Sequence, residues 1–188
     1  MSSKLFHSLP SLLVALIAAS CAETAPPTSP SAHHEVAPIE DATLGSTAKV
    51  HRVGDLWLTS EPSSTDLALA AKEGVHTFID LRHDAETPDV DTGAVATAAG
   101  LVYVNVPFGA PAELTDAIFD RVRAELSTAQ RPAILSCKSS NRVGAVWLTY
   151  RVLDEGVPFE TALEEARTAG LRTPEYEALA KAYVDAHR

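Results

Sequence analysis

The chain has 188 residues and a net charge of −10, from 15 Lys and Arg against 25 Asp and Glu. That length holds one ordinary domain with a sizeable core, and the acidic balance excludes a protein that grips nucleic acid through a basic face. Any site for an anion has to be built locally, because the overall field repels anions.

The chain opens with Lys4, then the apolar run Leu12-Leu13-Val14-Ala15-Leu16-Ile17, then Ala18-Ala19-Ser20 ahead of Cys21. The run is too short to span a bilayer and ends in small residues, so residues 1–20 read as an export signal. Small residues followed at once by cysteine resemble a bacterial lipoprotein signal, although Ala18 stands where leucine is usual. The resemblance implies that Cys21 is lipidated and that the protein is exported to the periplasm or cell envelope. It would touch a membrane only through that lipid. A plain secretory signal with an incidental cysteine is the other reading.

Residues 21–43, with Ala25-Pro26-Pro27-Thr28-Ser29-Pro30-Ser31, hold too little apolar surface to fold and read as an extended tether. His33-His34 lies in it with no further metal ligands around it and reads as solvated. The folded domain is expected over residues 44–188.

Val50-His51-Arg52-Val53 and Leu56-Trp57-Leu58-Thr59 flank Gly54-Asp55, the pattern of a hairpin with a two-residue turn. Ser63 with Asp66 forms a capping-box pair ahead of a helix that runs to Gly74. Residues 75–81 are rich in strand formers, 83–91 are a polar acidic loop, and 92–99 form a short helix stopped by Gly100. Residues 101–106 read as a strand stopped by Pro107, and residues 114–127 as a helix with Ile118, Val122 and Leu126 on one face.

A strand over 132–136 leads into the loop 137–142 and then a helix over 142–155 that is apolar on most sides. Gly144 in this helix suggests close packing on the sheet. A helix from Phe159 to Ala169 ends at Gly170, and Thr173-Pro174 opens the last, with threonine as its cap. Trp57 and Trp147 read as core. Strands alternating with helices predict a single three-layer α/β domain with a mostly parallel central sheet.

Ligands in such sheets sit beyond the carboxyl ends of the strands, and Cys137 falls there. The stretch Ser136-Cys137-Lys138-Ser139-Ser140-Asn141-Arg142-Val143-Gly144 is a strand-to-loop-to-helix turn. Such a turn aims amide N–H groups and a positive helix end at one spot. Cys137 there should carry a lowered pKa, and the Arg142 guanidinium offers a fork for two oxygens of a phosphate or sulfate. Lys138, Ser139, Ser140 and Asn141 can add donors. With Cys21 lipidated, Cys137 has no partner within the chain and reads as a reactive thiol. No metal-ligand set or nucleotide loop is apparent, so no cofactor is expected.

This loop resembles the active-site signature of the cysteine-dependent phosphatases, and the wider stretch resembles their bacterial β-lactamase-hydrolase-like branch. Leu56-Trp57-Leu58-Thr59-Ser60-Glu61-Pro62 is similar to that family's early strand and turn. Phe78-Ile79-Asp80-Leu81-Arg82 and Val104-Asn105-Val106-Pro107 are similar to its next two strands. The resemblance covers about residues 48–172. It implies a phosphatase-like fold and phosphomonoester hydrolysis through a phosphocysteine, with Cys137 as nucleophile and Arg142 binding phosphate oxygens. The substrate would be a phosphorylated small molecule or protein.

Three features depart from the superfamily. Ser136 replaces a histidine before the cysteine, Val143 replaces a hydroxyl residue after the arginine, and four residues rather than five separate Cys137 from Arg142. The short loop is also similar to rhodanese-type sulfurtransferases, which carry sulfur as a persulfide. The superfamily's aspartate general acid has no counterpart in Pro107-Phe108-Gly109-Ala110-Pro111-Ala112-Glu113; Asp84, Glu113 and Asp116 are the carboxyls nearby. A phosphatase, a sulfurtransferase and an inactive anion-binding module therefore stay open at this level.

Overall fold

The computed structural model describes residues 36–188. The expected leader, Cys21 and most of the expected tether lie outside them. Six strands form one sheet in the order β1-β2-β3-β6-β4-β5. They are β1 (Ile39–Asp41), β2 (Val50–Val53), β3 (Leu56–Thr59), β4 (Thr77–Asp80), β5 (Val102–Asn105) and β6 (Ala133–Ser136). β1, β2 and β3 pair antiparallel, and β3, β6, β4 and β5 pair parallel.

β1 falls inside the segment expected to be tether. Composition hides it because it is a short edge strand with exposed Glu40 and Asp41, held by pairing with Val53, Arg52 and His51 rather than by burial. The β2–β3 hairpin forms as the sequence predicts, with Gly54 at φ +58 supplying the left-handed turn.

Six helices cover the sheet: α1 (Ser64–Lys72), α2 (Thr92–Ala98), α3 (Asp116–Thr128), α4 (Asn141–Leu153), α5 (Phe159–Ala169) and α6 (Pro174–His187). The alternation of strand side chains sorts them into two layers. Trp57, Phe78 and Ile134 face Leu67, Ala70 and Ala96, so α1 and α2 lie on that side. Leu58, Ile79 and Leu135 face Phe119, Val122, Trp147, Leu163 and Tyr183, which places α3–α6 on the other. Residues Arg142 through Val152 of α4 are all buried, which explains why that helix is apolar on nearly every side.

Three local expectations are revised. α3 starts at Asp116 rather than 114, because Pro111–Glu113 form a 3-10 turn before it. Gly144 serves helix-to-helix packing instead of the sheet: a Cβ there would lie 2.6 Å from the Ala166 carbonyl and 2.7 Å from the Leu171 nitrogen. Thr173 occupies the N-cap position of α6 without capping it, since its hydroxyl instead accepts from the Asn141 amide.

Candidate active site

β3, β6 and β4 run parallel in level register, with Ser136 opposite both Thr59 and Asp80. Their carboxyl ends therefore deliver Glu61, Cys137 and Arg82 to one place. Cys137 is 1 % exposed at the base of the loop. Ser140 adopts a left-handed backbone at φ +65, which costs a non-glycine residue about 1–2 kcal/mol. The bend turns the chain into α4, and Gly170 packs directly on it, its Cβ position 3.0 Å from that of Ser140. Ser140 is wholly buried and its Oγ has no hydrogen-bond partner. Among the described residues, no acceptor faces the amides of residues 138–143. A helix start carries such unpaired donors by construction, and an oxyanion satisfies them.

Arg142, 7 % exposed, is fixed end-on. Its Nη1 donates to Glu86 Oε1 at 2.7 Å, to the Phe108 carbonyl at 2.6 Å and to the Leu81 carbonyl at 3.0 Å, and Nη2 donates to Glu86 Oε2 at 2.6 Å. The side edge of the guanidinium, made of Nε–H and the second Nη2–H, has no acceptor among the described residues. In Arg82, Arg123, Arg151 and Arg167 that same edge grips a carboxylate. In Arg142 it remains a free fork for two oxygens.

Burial opposes the charge on Arg142, but the hydrogen bonds to Glu86 and the negative charge of Cys137 outweigh it and raise its pKa. The Arg142 hydrogen bond, outweighing burial, holds Glu86 below the usual carboxylate range. Burial pushes the neighbouring Tyr176 hydroxyl up, and the charges of Cys137, Glu113 and Glu86 add to this against the pull of Arg142.

The remaining loop side chains have other work. Lys138 points outward and pairs with Glu61, which also accepts from Arg82 Nη1 at 2.6 Å. Arg82 also grips buried Asp80 side-on at the end of β4, so Glu61 links that strand end to Lys138 of the loop. Ser139 Oγ accepts from Arg172 at 2.7 Å. The sequence offers Asn141 as a donor to the anion, and the fold gives its side chain a bracing task as well. Nδ2 donates to Thr173 Oγ1 at 2.7 Å, while Oδ1 accepts from the amides of Arg172 at 2.8 Å and Thr173 at 3.2 Å. It braces the loop against the turn between α5 and α6. Ser136 Oγ donates to the Ser60 carbonyl at 3.1 Å, pinning β6 to the end of β3.

Of the three carboxyls considered as acids, Asp84 lines a cleft beside β5 with Tyr103 and Asn105, and Asp116 sits in the first turn of α3. Glu113 accepts from His83 Nε2 and from the Gly109 amide, both at 2.7 Å. The bond to His83, followed by that from Gly109, holds it below the usual carboxylate range. Glu86 and His83 are absent from the sequence-level site; nothing marks them within an acidic loop until the fold closes it over Arg142. A cleft of about 530 Å³ borders the site, with Glu61, Arg82, Glu86, Val90 and Val95 in its walls. No group of three metal-ligating side chains occurs among the described residues.

A mostly parallel sheet carrying a cysteine at a strand end, separated by four residues from an arginine in the first turn of a buried helix, defines a cysteine-phosphatase-like domain. The chain belongs to the family described as "Beta-lactamase hydrolase-like protein, phosphatase-like domain", which matches over residues 53–153. Solved structures share the fold. TpbA of P. aeruginosa, as a cysteine-to-serine form in complex with pTyr, is similar at TM-score 0.65 and 20% identity, over 82% of this chain and 98% of that one. A second TpbA structure aligns at TM-score 0.59 and 24% identity, over 74% of this chain and 84% of that one. Human DUSP28 aligns at TM-score 0.58 and 19% identity, over 73% and 93%. No curated protein matches the chain by sequence.

Proposed function

We propose that the protein is a cysteine-dependent phosphatase that hydrolyses phosphomonoesters through a phosphocysteine on Cys137. The observation that carries this reading is the free side edge of Arg142, held in place by Glu86 at the opposite end of the same guanidinium. A planar fork with nothing to grip, next to unpaired loop amides and the unpartnered Ser140 hydroxyl, suits the oxygens of a phosphoryl group. Cys137 attacks phosphorus from the floor of that cradle, and the loop amides and Arg142 stabilise the charge that builds on the equatorial oxygens. Water then displaces the cysteine. The TpbA structure with phosphotyrosine makes an aryl phosphate the first substrate to try.

The test is hydrolysis of an aryl phosphate by the reduced protein, its Cys137→Ser variant and its Arg142→Lys variant. Turnover lost with serine and reduced at least ~100-fold with lysine supports the reading. Turnover unchanged in Cys137→Ser overturns it.

We further propose that the chain is exported and lipidated at Cys21, on the strength of the apolar run at residues 12–17 and the small residues before the cysteine. Metabolic labelling with a fatty acid, lost in Cys21→Ser, tests this.

A further inference from the structure

We propose that His83 is the general acid of the phosphatase reaction, doing the work that the superfamily gives to an aspartate. The inference rests on the phosphatase reading above. A leaving alkoxide or phenoxide needs a proton, and the loop after β5, where the superfamily keeps its acid, has no aspartate: it reads Pro107-Phe108-Gly109-Ala110-Pro111-Ala112-Glu113.

The fold brings an imidazole to that loop from the neighbouring one. His83 Nε2 lies 3.5 Å and Cδ2 3.4 Å from the Cβ position of Gly109. The residue before Gly109 gives its carbonyl to Arg142 at 2.6 Å. The His83 amide donates to Glu86 Oε1 at 3.0 Å, the same oxygen that takes Arg142 Nη1. His83 is thus tied at its backbone to the carboxylate that aims the phosphate-binding arginine, and its ring rests on the loop that lacks the aspartate.

Asp84, next in sequence, lines the separate cleft beside β5, and four other carboxylates nearby are engaged as acceptors. Asp80 and Glu61 accept from Arg82, Glu86 from Arg142, and Glu113 from His83 and Gly109. The Tyr176 hydroxyl donates to the Gly109 carbonyl. Glu113 therefore orients the imidazole, while the second ring nitrogen has no partner among the described residues. The side chain is 43 % exposed, so the ring is open to solvent.

In the first step the S–P bond forms as the P–O ester bond breaks. The bonding pair leaves on the ester oxygen, which takes a proton from the imidazolium. In the second step neutral His83 takes a proton from water as its oxygen attacks phosphorus. The P–S bond breaks, and the products are inorganic phosphate, the Cys137 thiolate and a reprotonated His83.

The experiment measures kcat/KM over a series of aryl phosphates, from 2,4-dinitrophenyl to phenyl, for the full chain and for its His83→Asn and His83→Gln variants. That ratio reports formation of the phosphocysteine. The unaltered protein should depend weakly on the leaving group. Both variants should lose at least ~100-fold on phenyl phosphate and only a few-fold on the dinitrophenyl ester, which departs without a proton. Equal losses across the series, or none, overturn the role of His83 while leaving the phosphatase reading standing. A steep leaving-group dependence already present in the unaltered protein overturns it too, without any variant. An unaltered protein inert on the whole series removes the phosphatase reading itself, and this proposal with it.

Discussion

Glu86 holds the end of the Arg142 guanidinium with both carboxylate oxygens, at 2.7 and 2.6 Å, and leaves the side edge of that guanidinium free. The pair joins two segments 56 residues apart, one in an acidic loop after β4 and one in the first turn of α4. An arginine at a helix N-terminus is electrostatically disfavoured, and Glu86 offsets that cost. Replacing Glu86 by alanine leaves a nearly buried charge without its partner. Because Glu86 is itself partly exposed, the expected loss is about 2 kcal/mol, below the ~3–5 kcal/mol of a fully buried pair. Aryl phosphatase activity should fall about 100-fold as the fork loses its aim, with Glu86→Gln intermediate. Urea unfolding and steady-state kinetics on the same samples check both.

Asp66 sets an acid-dependence of stability. Burial works against its charge, but bonds from Ser46 and Ser63, including the α1 capping box, prevail and lower its pKa from 3.8 to about 2. A carboxylate whose folded pKa is depressed stabilises the fold fully above its unfolded value. It loses that contribution as pH falls through the folded one. The window is therefore from about pH 4 down to about pH 2, and the contribution at neutral pH is about 2 kcal/mol. Stability measured by urea across that window should fall more steeply for the unaltered protein than for Asp66→Asn.

Gly144→Ala places a methyl group against backbone atoms of Ala166 and Leu171 that have no flexible end to yield. Separating α4 from the end of α5 should cost about 1–3 kcal/mol and lower the midpoint of thermal unfolding. Because α4 starts in the loop that carries Cys137 and Arg142, activity should drop as well.

The loop side chains should divide by what they touch. Lys138→Ala breaks an exposed pair with Glu61, worth about 0–1 kcal/mol, and should leave stability nearly unchanged. Asn141→Ala removes bonds to Thr173 and Arg172 that brace the loop. It should cost about 1–2 kcal/mol and weaken inorganic phosphate as a competitive inhibitor. Parallel unfolding and inhibition measurements separate the two residues.

Much of the fold is legible in the sequence because it rests on local signals. The Gly54-Asp55 turn, the Ser63 and Asp66 capping box and the span of α5 are each written within a few residues. The family resemblance likewise rests on short strings at the ends of β3, β4 and β5. The candidate site is legible where it lies in one continuous stretch, from Cys137 through Ser140 to Arg142. Glu86, His83 and Glu113 become partners across 30 to 56 residues of separation, and no spacing rule links them. Asn141 shows the same limit from the other side: its amide suits an anion, but only the fold reveals that it also bonds the turn at Arg172 and Thr173. β1 escapes notice because edge pairing, not an apolar pattern, holds it in place.

Everything proposed for the reaction depends on a covalent phosphoryl group on Cys137. Rapid acid quench of the reduced protein with an aryl phosphate, followed by intact-mass and peptide analysis, reads that group directly. The expected result is a mass gain of one phosphoryl group on the peptide that holds Cys137, absent in Cys137→Ser. Turnover of the aryl phosphate with no such adduct at any quench time, or with the phosphoryl group on another residue, would contradict it.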